Sequence, residues 1–387
     1  MEKVASLALK NILQDFPRSI KFCFAYGSGA FKQMKSDPMK NMLDLIFVVR
    51  NSGYWHTENL TRNSCHYALP LRYLGPNIVT KVQENWGANI YYNTLIKTTN
   101  NRLIKYGVIS EKCLVEDLLD WNTLYLAGRL HKPIQVIVEP AESSPIQMAL
   151  NQNLKSAVHA ALLLLPENFT EIDFFKVITG LSYHGDFRMI FGEDKSKIVN
   201  IVMPQMDNFR ELYSPILKHF EPFVDIPKNQ PADMTICHQD GSPSAKIHHL
   251  NQLPRTPQVK LVRKWSQGPR SKDMEDCLRA IAHDPDCSEI LQQVLCDIVW
   301  RSSITQSLKG IITAGFMKSI KYSSAKIIKM MKSNKEKTNQ QQKQQLIKIP
   351  QPPKVISKIN SITEKDIENK NTSTNMKASD NKQGHDP

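Results

Sequence analysis

The stretch KFCFAYGSGAFKQ, Lys21 to Gln33, interrupts an apolar run with two glycines around a serine. A packed strand gains nothing from Gly27-Ser28-Gly29, because glycine weakens a strand and buries little surface. Such a triplet suits a chain that turns sharply or brings its backbone close to another group. Glycine-rich turns leave N–H groups bare, and the approaching group is often a phosphate. The expectation is a strand, KFCFAY, closed by a GSG turn. A second apolar strand follows, MLDLIFVV (Met42 to Val49), whose only interruption is Asp44.

A lone carboxylate inside such a strand is costly to bury unless it is paired, hydrogen-bonded or metal-bound. A cap on a neighbouring turn or a buried arginine partner would explain Asp44 structurally. Beside the GSG turn, Asp44 fits a nucleotidyltransferase palm, where the turn holds a triphosphate and a carboxylate on the next strand holds Mg²⁺. The chemistry needs these residue types. A triphosphate wants backbone donors and close approach, and its reacting phosphorus wants a hard cation on oxygen ligands. Gly27, Ser28 and Gly29 are therefore candidates for the nucleotide phosphates, Ser28 and Asp44 for the catalytic centre, and Asp44 for the metal.

Two other phosphate-binding readings fail. Lys32 stands where a dinucleotide fingerprint needs its third glycine, and no G-K-[ST] follows for a P-loop. Many nucleotidyltransferases carry D-x-D, but here the second position is Ile46. Either another carboxylate completes the site, or one acid works with substrate phosphates. Glu116, Asp117 and Asp186 are the candidates, though a solvated face or a cap explains each more simply.

The chain has 387 residues, a hydrophobic fraction of 41% and a formal net charge of +13. It is long enough for two or three domains with a real core. The positive balance predicts anionic partners: nucleic acid, nucleotide phosphates or an acidic membrane surface. The apolar run around Leu162 to Leu165 is too short to span a bilayer. Seven scattered cysteines do not form a disulfide framework and point to a reducing compartment. Cys277, His283 and Cys287 lack the paired spacing of a zinc site. The N-terminus carries Glu2 and Asp15 with a single arginine, Arg18, which makes a poor presequence.

Along the chain, the pattern predicts a first helix with Val4, Leu7, Leu9, Ile12 and Leu13 on its apolar side. After the two strands come two helical stretches separated by Gly75-Pro76, then a strand RLIKYGVIS. One helix is expected over EKCLVEDLLDWNTLYLAGRL, then a strand KPIQVIVE. This mixture argues for α/β or α+β. Helices dominate from 144 to 213, with Thr170 as an N-cap, Asp173 in the box position and a bend at Pro204. Residues 222–257 look irregular, helices return after Lys272, and the Lys/Asn/Gln-rich tail from 333 reads as disordered. The expected divisions are 1–143, 144–257, 258–332 and 333–387.

The segments YGSGAF, MLDLIFVV, WHTENLTRNSCHYAL, LGPNIVTKVQENWGANIYYNTLI and IKYGVISEKCLVEDLLDWNTLYLAGRLHKP together resemble the mitochondrial phosphatidate cytidylyltransferases, the CDP-diacylglycerol synthases of the translocator assembly and maintenance family. The likeness continues through LSYHGDFRMIFGEDKSKIVNIV, FRELY, AHDPDC and RSSITQSLKGIITAG, and so covers roughly residues 20 to 332. It implies an N-terminal nucleotidyltransferase domain, a winged-helix-like helical domain and a C-terminal helix that meets the membrane. It implies transfer from CTP to phosphatidate with Mg²⁺, on the matrix face of the mitochondrial inner membrane, upstream of cardiolipin. The GSG turn and single strand acid of the family map onto Gly27, Ser28, Gly29 and Asp44. Within SYHGDFR, Arg188 is a candidate for a substrate phosphate, with a pair to Asp186 as the structural alternative.

GFMKSIKYSSAKIIKMMKS, Gly315 to Ser333, sets Phe316, Ile320, Ile327 and Met331 opposite Lys318, Lys321, Lys329 and Lys332 on a helical wheel. That pattern fits either a core-packing helix with a solvated lysine edge or a helix lying in a membrane interface. Its place at the end of the folded region and the lipid substrate that the resemblance implies favour the second, on anionic inner-membrane lipid, and no nucleic-acid partner is expected. Two alternatives stand: a transferase of the same fold acting on RNA or a soluble acceptor, and a non-enzymatic maintenance factor for mitochondrial import.

Overall fold

The computed structural model describes residues 9–31, 41–191, 196–227, 235–266 and 273–314. The helix expected over 315–333 and the polar tail expected beyond it lie outside the described residues.

Helix α1 contributes residues 9–12. Strand β1 (Ile20–Tyr26) runs into a 3₁₀ turn at Gly27–Gly29, and β2 (Leu43–Val49) returns beside it. Helices α2 (Ser52–Arg62), α3 (Leu69–Leu74) and α4 (Pro76–Asn85) lead to the hairpin of β3 (Tyr91–Lys97) and β4 (Leu103–Ser110). Then come α5 (Glu111–Asp120), the short α6 (Ala127–Leu130) and β5 (Gln135–Val138). The five strands form one mixed sheet in the order β3-β4-β2-β1-β5. Strand β2 pairs antiparallel with β1 and parallel with β4, which makes it the central strand. Its near-continuous apolar run is what burial on both faces requires.

Alternation along the strands divides the core. Phe22, Phe24, Ile46 and Val48 face the larger cluster, which runs on into the second half of the chain. Cys23, Leu45, Phe47 and Val49 face a smaller one with Leu9, Ile12, Phe16 and Trp55.

The second half is α7 (Pro145–Leu164), β6 (Asn168–Thr170), α8 (Glu171–Gly180), α9 (Arg188–Phe191), α10 (Lys197–Val202), α11 (Met206–Leu217), β7 (Val224–Asp225), β8 (Ile236–Gln239), α12 (Pro243–Asn251), α13 (Arg255–Trp265), α14 (Met274–His283) and α15 (Cys287–Ala314). The short strands form a sheet in the order β6-β8-β7. Thr170 caps α8 as expected: its hydroxyl accepts from the Asp173 N–H at 3.1 Å and donates to the Asp173 carboxylate at 2.7 Å. Pro204 lies in a 3₁₀ turn between α10 and α11, where the sequence predicts a bend.

Three expectations need correction. The single helix over 111–130 is two, because Trp121 takes a left-handed conformation (φ 53°) and ends α5. The buried Asp117 carboxylate then gathers the connecting loop, accepting from the backbone N–H groups of Thr123, Leu124, Leu126 and Ala127 at 2.9–3.1 Å. Strand β3 is an addition, since Tyr91–Lys97 mixes polar and apolar residues without strict alternation. Residues 222–257, expected to be irregular, hold β7, β8 and α12, with Ser242 capping α12 through the Ala245 N–H at 3.2 Å.

Two buried histidines make stability depend on pH. Burial pushes His56 down to about 4 despite its bond to Gln83, and burial with the neighbouring Lys132 charge pushes His131 down to about 3. His56 sits between the Tyr67 hydroxyl and the Gln83 amide oxygen, each at 2.8 Å, and His131 lies 3.0 Å from the Asn153 amide oxygen. Both are held neutral in the folded chain, whereas the unfolded chain takes up the proton near pH 6.5. Lowering the pH below that point therefore favours unfolding, increasingly so down to about pH 4. The expected loss is on the order of a few kcal/mol, because each tenfold difference in proton affinity between the folded and unfolded chain is worth ~1.4 kcal/mol. Urea titrations at pH 7 and pH 5 check this; equal midpoints would contradict it.

Candidate active site

Strand β1 ends at Tyr26, which pairs with Asp44, and Asp44 pairs on its other side with Lys105 of β4. Side-by-side register thus sets a phenol, a carboxylate and an ammonium in one row at the end of the sheet, beside the GSG turn. The two glycines have different reasons. Gly27 takes φ +74°, and a Cβ there would stand 3.8 Å from the Asp44 Oδ2. Gly29 has no room for a Cβ because the Met42 and Leu43 backbone passes against it. The turn is fastened through its carbonyls: Asn41 donates to the Ser28 oxygen at 3.1 Å and Arg102 to the Gly29 oxygen at 3.2 Å.

The side chain of Asp44 is 24% exposed, and its Oδ1 lies 3.6 Å from the Lys105 ammonium, beyond hydrogen-bond distance. That oxygen is buried and has no hydrogen-bond partner among the described residues. A buried carboxylate oxygen without a donor is costly, and a cation relieves the cost. Lys105 itself sits 4.4 Å from the centre of the Tyr92 ring.

Behind this row lies more positive charge. Arg129 of α6 stacks its guanidinium 3.8 Å from the centre of the Tyr125 ring and 5.4 Å from that of Tyr26. It also donates to the Tyr125 carbonyl at 2.6 Å. Burial would raise the Tyr125 phenol, but the charges of Arg129, Arg188 and Lys105 outweigh it and leave the group below its ordinary value. Tyr26 goes the other way, raised by burial and then by the Asp44 carboxylate. One phenol thus registers the cations and the other the carboxylate: among the described residues the site is a basin of three cations, Lys105, Arg129 and Arg188, with Asp44 at its edge and Asp186 paired to Arg188. Such a basin suits a polyanion.

The structure brings Gly27, Ser28, Gly29 and Asp44 together as the sequence implied. Arg188 makes a bidentate pair with Asp186, with Nε bonds at 2.9 and 3.1 Å, and its charge also reaches Tyr125 and Arg129. The other candidate acids take structural roles. Asp117 organises the 121–127 loop through its backbone bonds. Glu116 is a helix-surface partner of Lys112 at 3.8 Å, and Asp186 is committed to Arg188. Among the described residues, Cys277, His283 and Cys287 do not converge as a metal site.

Sequence reasoning missed Lys105, Arg129, Tyr125 and Tyr92. Lys105 carried a usable signal, being a lone charge in a strand pattern, as Asp44 is. Arg129 carried none, because AGRL reads as an ordinary helix end.

A family model described as "Phosphatidate cytidylyltransferase, mitochondrial" matches residues 9–329. Relatives carrying that same name include one from Bos taurus, 49% identical over 87% of this chain and 98% of its own length. Another, from Danio rerio, is 45% identical over 85% of this chain and 96% of its own. A third, from Homo sapiens, is 47% identical over 80% and 67%. A solved nucleotidyltransferase-like protein from Exiguobacterium sibiricum aligns over 79% of this chain and 77% of its own, at 10% identity and a TM-score of 0.23, too loose a superposition to argue from. With a match along nearly the whole described chain and relatives near half identity, this chain belongs to the mitochondrial phosphatidate cytidylyltransferase family.

Proposed function

We propose that this chain transfers the cytidylyl group of CTP to phosphatidate, giving CDP-diacylglycerol and pyrophosphate, in the basin bounded by Gly27–Gly29, Asp44, Lys105 and Arg129. Family membership supplies the reaction. The observation that supports the placement is the buried Asp44 Oδ1, without a hydrogen-bond donor among the described residues, between the glycine turn and a group of cations.

That oxygen also fits Mg²⁺, which takes hard oxygen ligands and leaves room for substrate phosphates. Asp44 would hold the ion, and the ion would neutralise charge on the transferring phosphoryl group. The Ser28 hydroxyl and the turn's backbone would donate to the β and γ oxygens of CTP. Lys105, Arg129 and, at the far side, Arg188 would balance the charge of the triphosphate and the lipid phosphate. The phosphatidate phosphate is already anionic, so the site needs no strong general base. One of its oxygens attacks the α-phosphorus in line. The bond from that phosphorus to the bridging oxygen breaks, and pyrophosphate leaves with the electron pair. Catalysis is then positioning and charge neutralisation.

The β1–β5 sheet serves in this reading as a nucleotidyltransferase palm, within residues 1–143. The helices and small sheet of 144–257 serve as a winged-helix-like unit, and 258–332 end in a membrane-interface helix. The enzyme works on the matrix side of the mitochondrial inner membrane, upstream of cardiolipin. No described helix is long and apolar enough to cross a membrane, and peripheral docking through Gly315–Ser333 gives access to the lipid. Each lysine there adds ~1 kcal/mol of attraction to an anionic surface. Deleting Gly315–Ser333 is expected to abolish sedimentation with cardiolipin vesicles while CTP binding survives; undiminished sedimentation places the anchor elsewhere.

The reaction is tested with purified protein, Mg²⁺ and CTP labelled at the α-phosphate, offered phosphatidate vesicles, RNA or soluble phosphate acceptors in parallel. Label is expected in CDP-diacylglycerol only. Label in RNA or in a soluble product, or in nothing, would overturn the assignment.

A further inference from the structure

Three histidines meet where α12 packs on α7, two elements that carry none of the groups named around the glycine turn. His159 comes from α7, and His248 and His249 are neighbours on α12. Adjacent helix positions diverge by about 100°, yet the ring of His159 lies between the two. The ring centres form a nearly equilateral triangle, with sides of 5.1 Å (159–249), 5.6 Å (159–248) and 5.5 Å (248–249). One ligand nitrogen from each ring lies within 4.8 Å of the others, the only such group of three among the described residues.

These dimensions can be compared with a coordination shell. Imidazole nitrogens bind Zn²⁺ at about 2.0–2.1 Å in a tetrahedral arrangement. Adding the distance from nitrogen to ring centre puts three ligating rings roughly 5.2 Å apart, with nitrogens roughly 3.3 Å apart. The ring triangle has that size, while the nitrogens run from 2.9 Å, where Nδ1 of His159 and Nδ1 of His249 share a hydrogen bond that an ion would replace, to within 4.8 Å. Aromatic neighbours fix the rings: Phe220 lies 4.6 Å from His159, and Phe223 stacks on His248 at 4.5 Å.

His249 turns its Nδ1 to His159, so its other nitrogen faces away from the triangle. His249 is only 2% exposed, and its Nε2 is buried with no hydrogen-bond partner among the described residues. A cavity of about 160 Å³ adjoins this ring and is lined also by Asp240, Glu167 and Cys287. Of the three rings, the cavity touches His249.

We propose that His159, His248 and His249 form a binding site for a divalent transition ion of the Zn²⁺ class, which ties α12 to α7 and is separate from the Asp44 centre. The ligand set selects the ion. Imidazole suits Zn²⁺ and its neighbours in the series, whereas Mg²⁺ requires oxygen. The ion's role is structural, because it binds the folded chain and so stabilises it by mass action.

The test uses the purified full-length protein, stripped with a chelator and titrated with Co²⁺. A tetrahedral site is expected to give intense visible absorption at one equivalent, which Zn²⁺ abolishes by displacement. Zn²⁺ should also raise the melting temperature. His248 is exposed, so His248→Ala removes the ligand at the cost of its stacking contact with Phe223. It is expected to lose the bands and to weaken Zn²⁺ binding at least tenfold. Asp44→Asn is expected to change neither. Absence of the bands in the wild type, or equal Zn²⁺ affinity in His248→Ala, would reduce the group to a hydrogen-bonded histidine cluster and overturn the proposal.

Discussion

Replacing Asp44 by Asn should lower the rate of CDP-diacylglycerol formation by about 10³-fold while the protein stays folded. The substitution keeps the shape of the side chain and removes the charge that would hold Mg²⁺. Metal ions at a transferring phosphoryl group supply several kcal/mol, and each ~1.4 kcal/mol is a factor of ten. The fold should tolerate the change, because the carboxylate meets Lys105 at 3.6 Å, a long contact at a partly exposed position. No hydrogen bond to Lys105 is lost with the charge, since that distance is beyond hydrogen-bond reach. Steady-state rates in saturating Mg²⁺, read beside a melting curve, check both halves. A near wild-type rate would remove Asp44 from the centre.

Gly27→Val should be nearly as severe, with activity reduced at least ~100-fold, since a positioning error near the reacting atoms costs that much. Two effects combine. A β-branched residue at φ +74° is strained, and its Cβ would stand 3.8 Å from the Asp44 Oδ2, where the nucleotide must approach. Gly27→Ala carries less bulk and should fall between Val and the wild type. Calorimetric titration with CTP separates the effects: weakened affinity is expected along with some loss of stability. Unchanged CTP affinity in Gly27→Val would make the turn purely structural.

These two positions are legible in the sequence because each breaks a local rule. Gly27-Ser28-Gly29 interrupts an apolar run, and Asp44 puts a charge inside a strand. Lys105 breaks the same rule, but its meeting with Asp44 shows only once β4 is known to lie beside β2. Arg129, Tyr125 and Arg188 could not be placed together, because their meeting depends on the loop that follows α5. That loop rests on the left-handed Trp121 and on the bonds to Asp117, and neither has a local signature. Strand β3 is hidden for a related reason: Asn93 and Thr94 are buried in it, so its pattern is not that of a half-buried strand. The histidine triangle joins residues ninety positions apart and has no sequence spacing at all.

Everything proposed for the reaction depends on the nucleotide and its metal sitting against the Gly27–Gly29 turn and Asp44. A crystal structure of the protein with CTP, and with Mn²⁺ in place of Mg²⁺, would locate both, because the anomalous signal of manganese marks the ion without ambiguity. The expected result is a peak coordinated by an Asp44 oxygen, with the triphosphate along the turn and facing Lys105 and Arg129. Nucleotide and manganese bound elsewhere, with Asp44 still paired to Lys105, would contradict it.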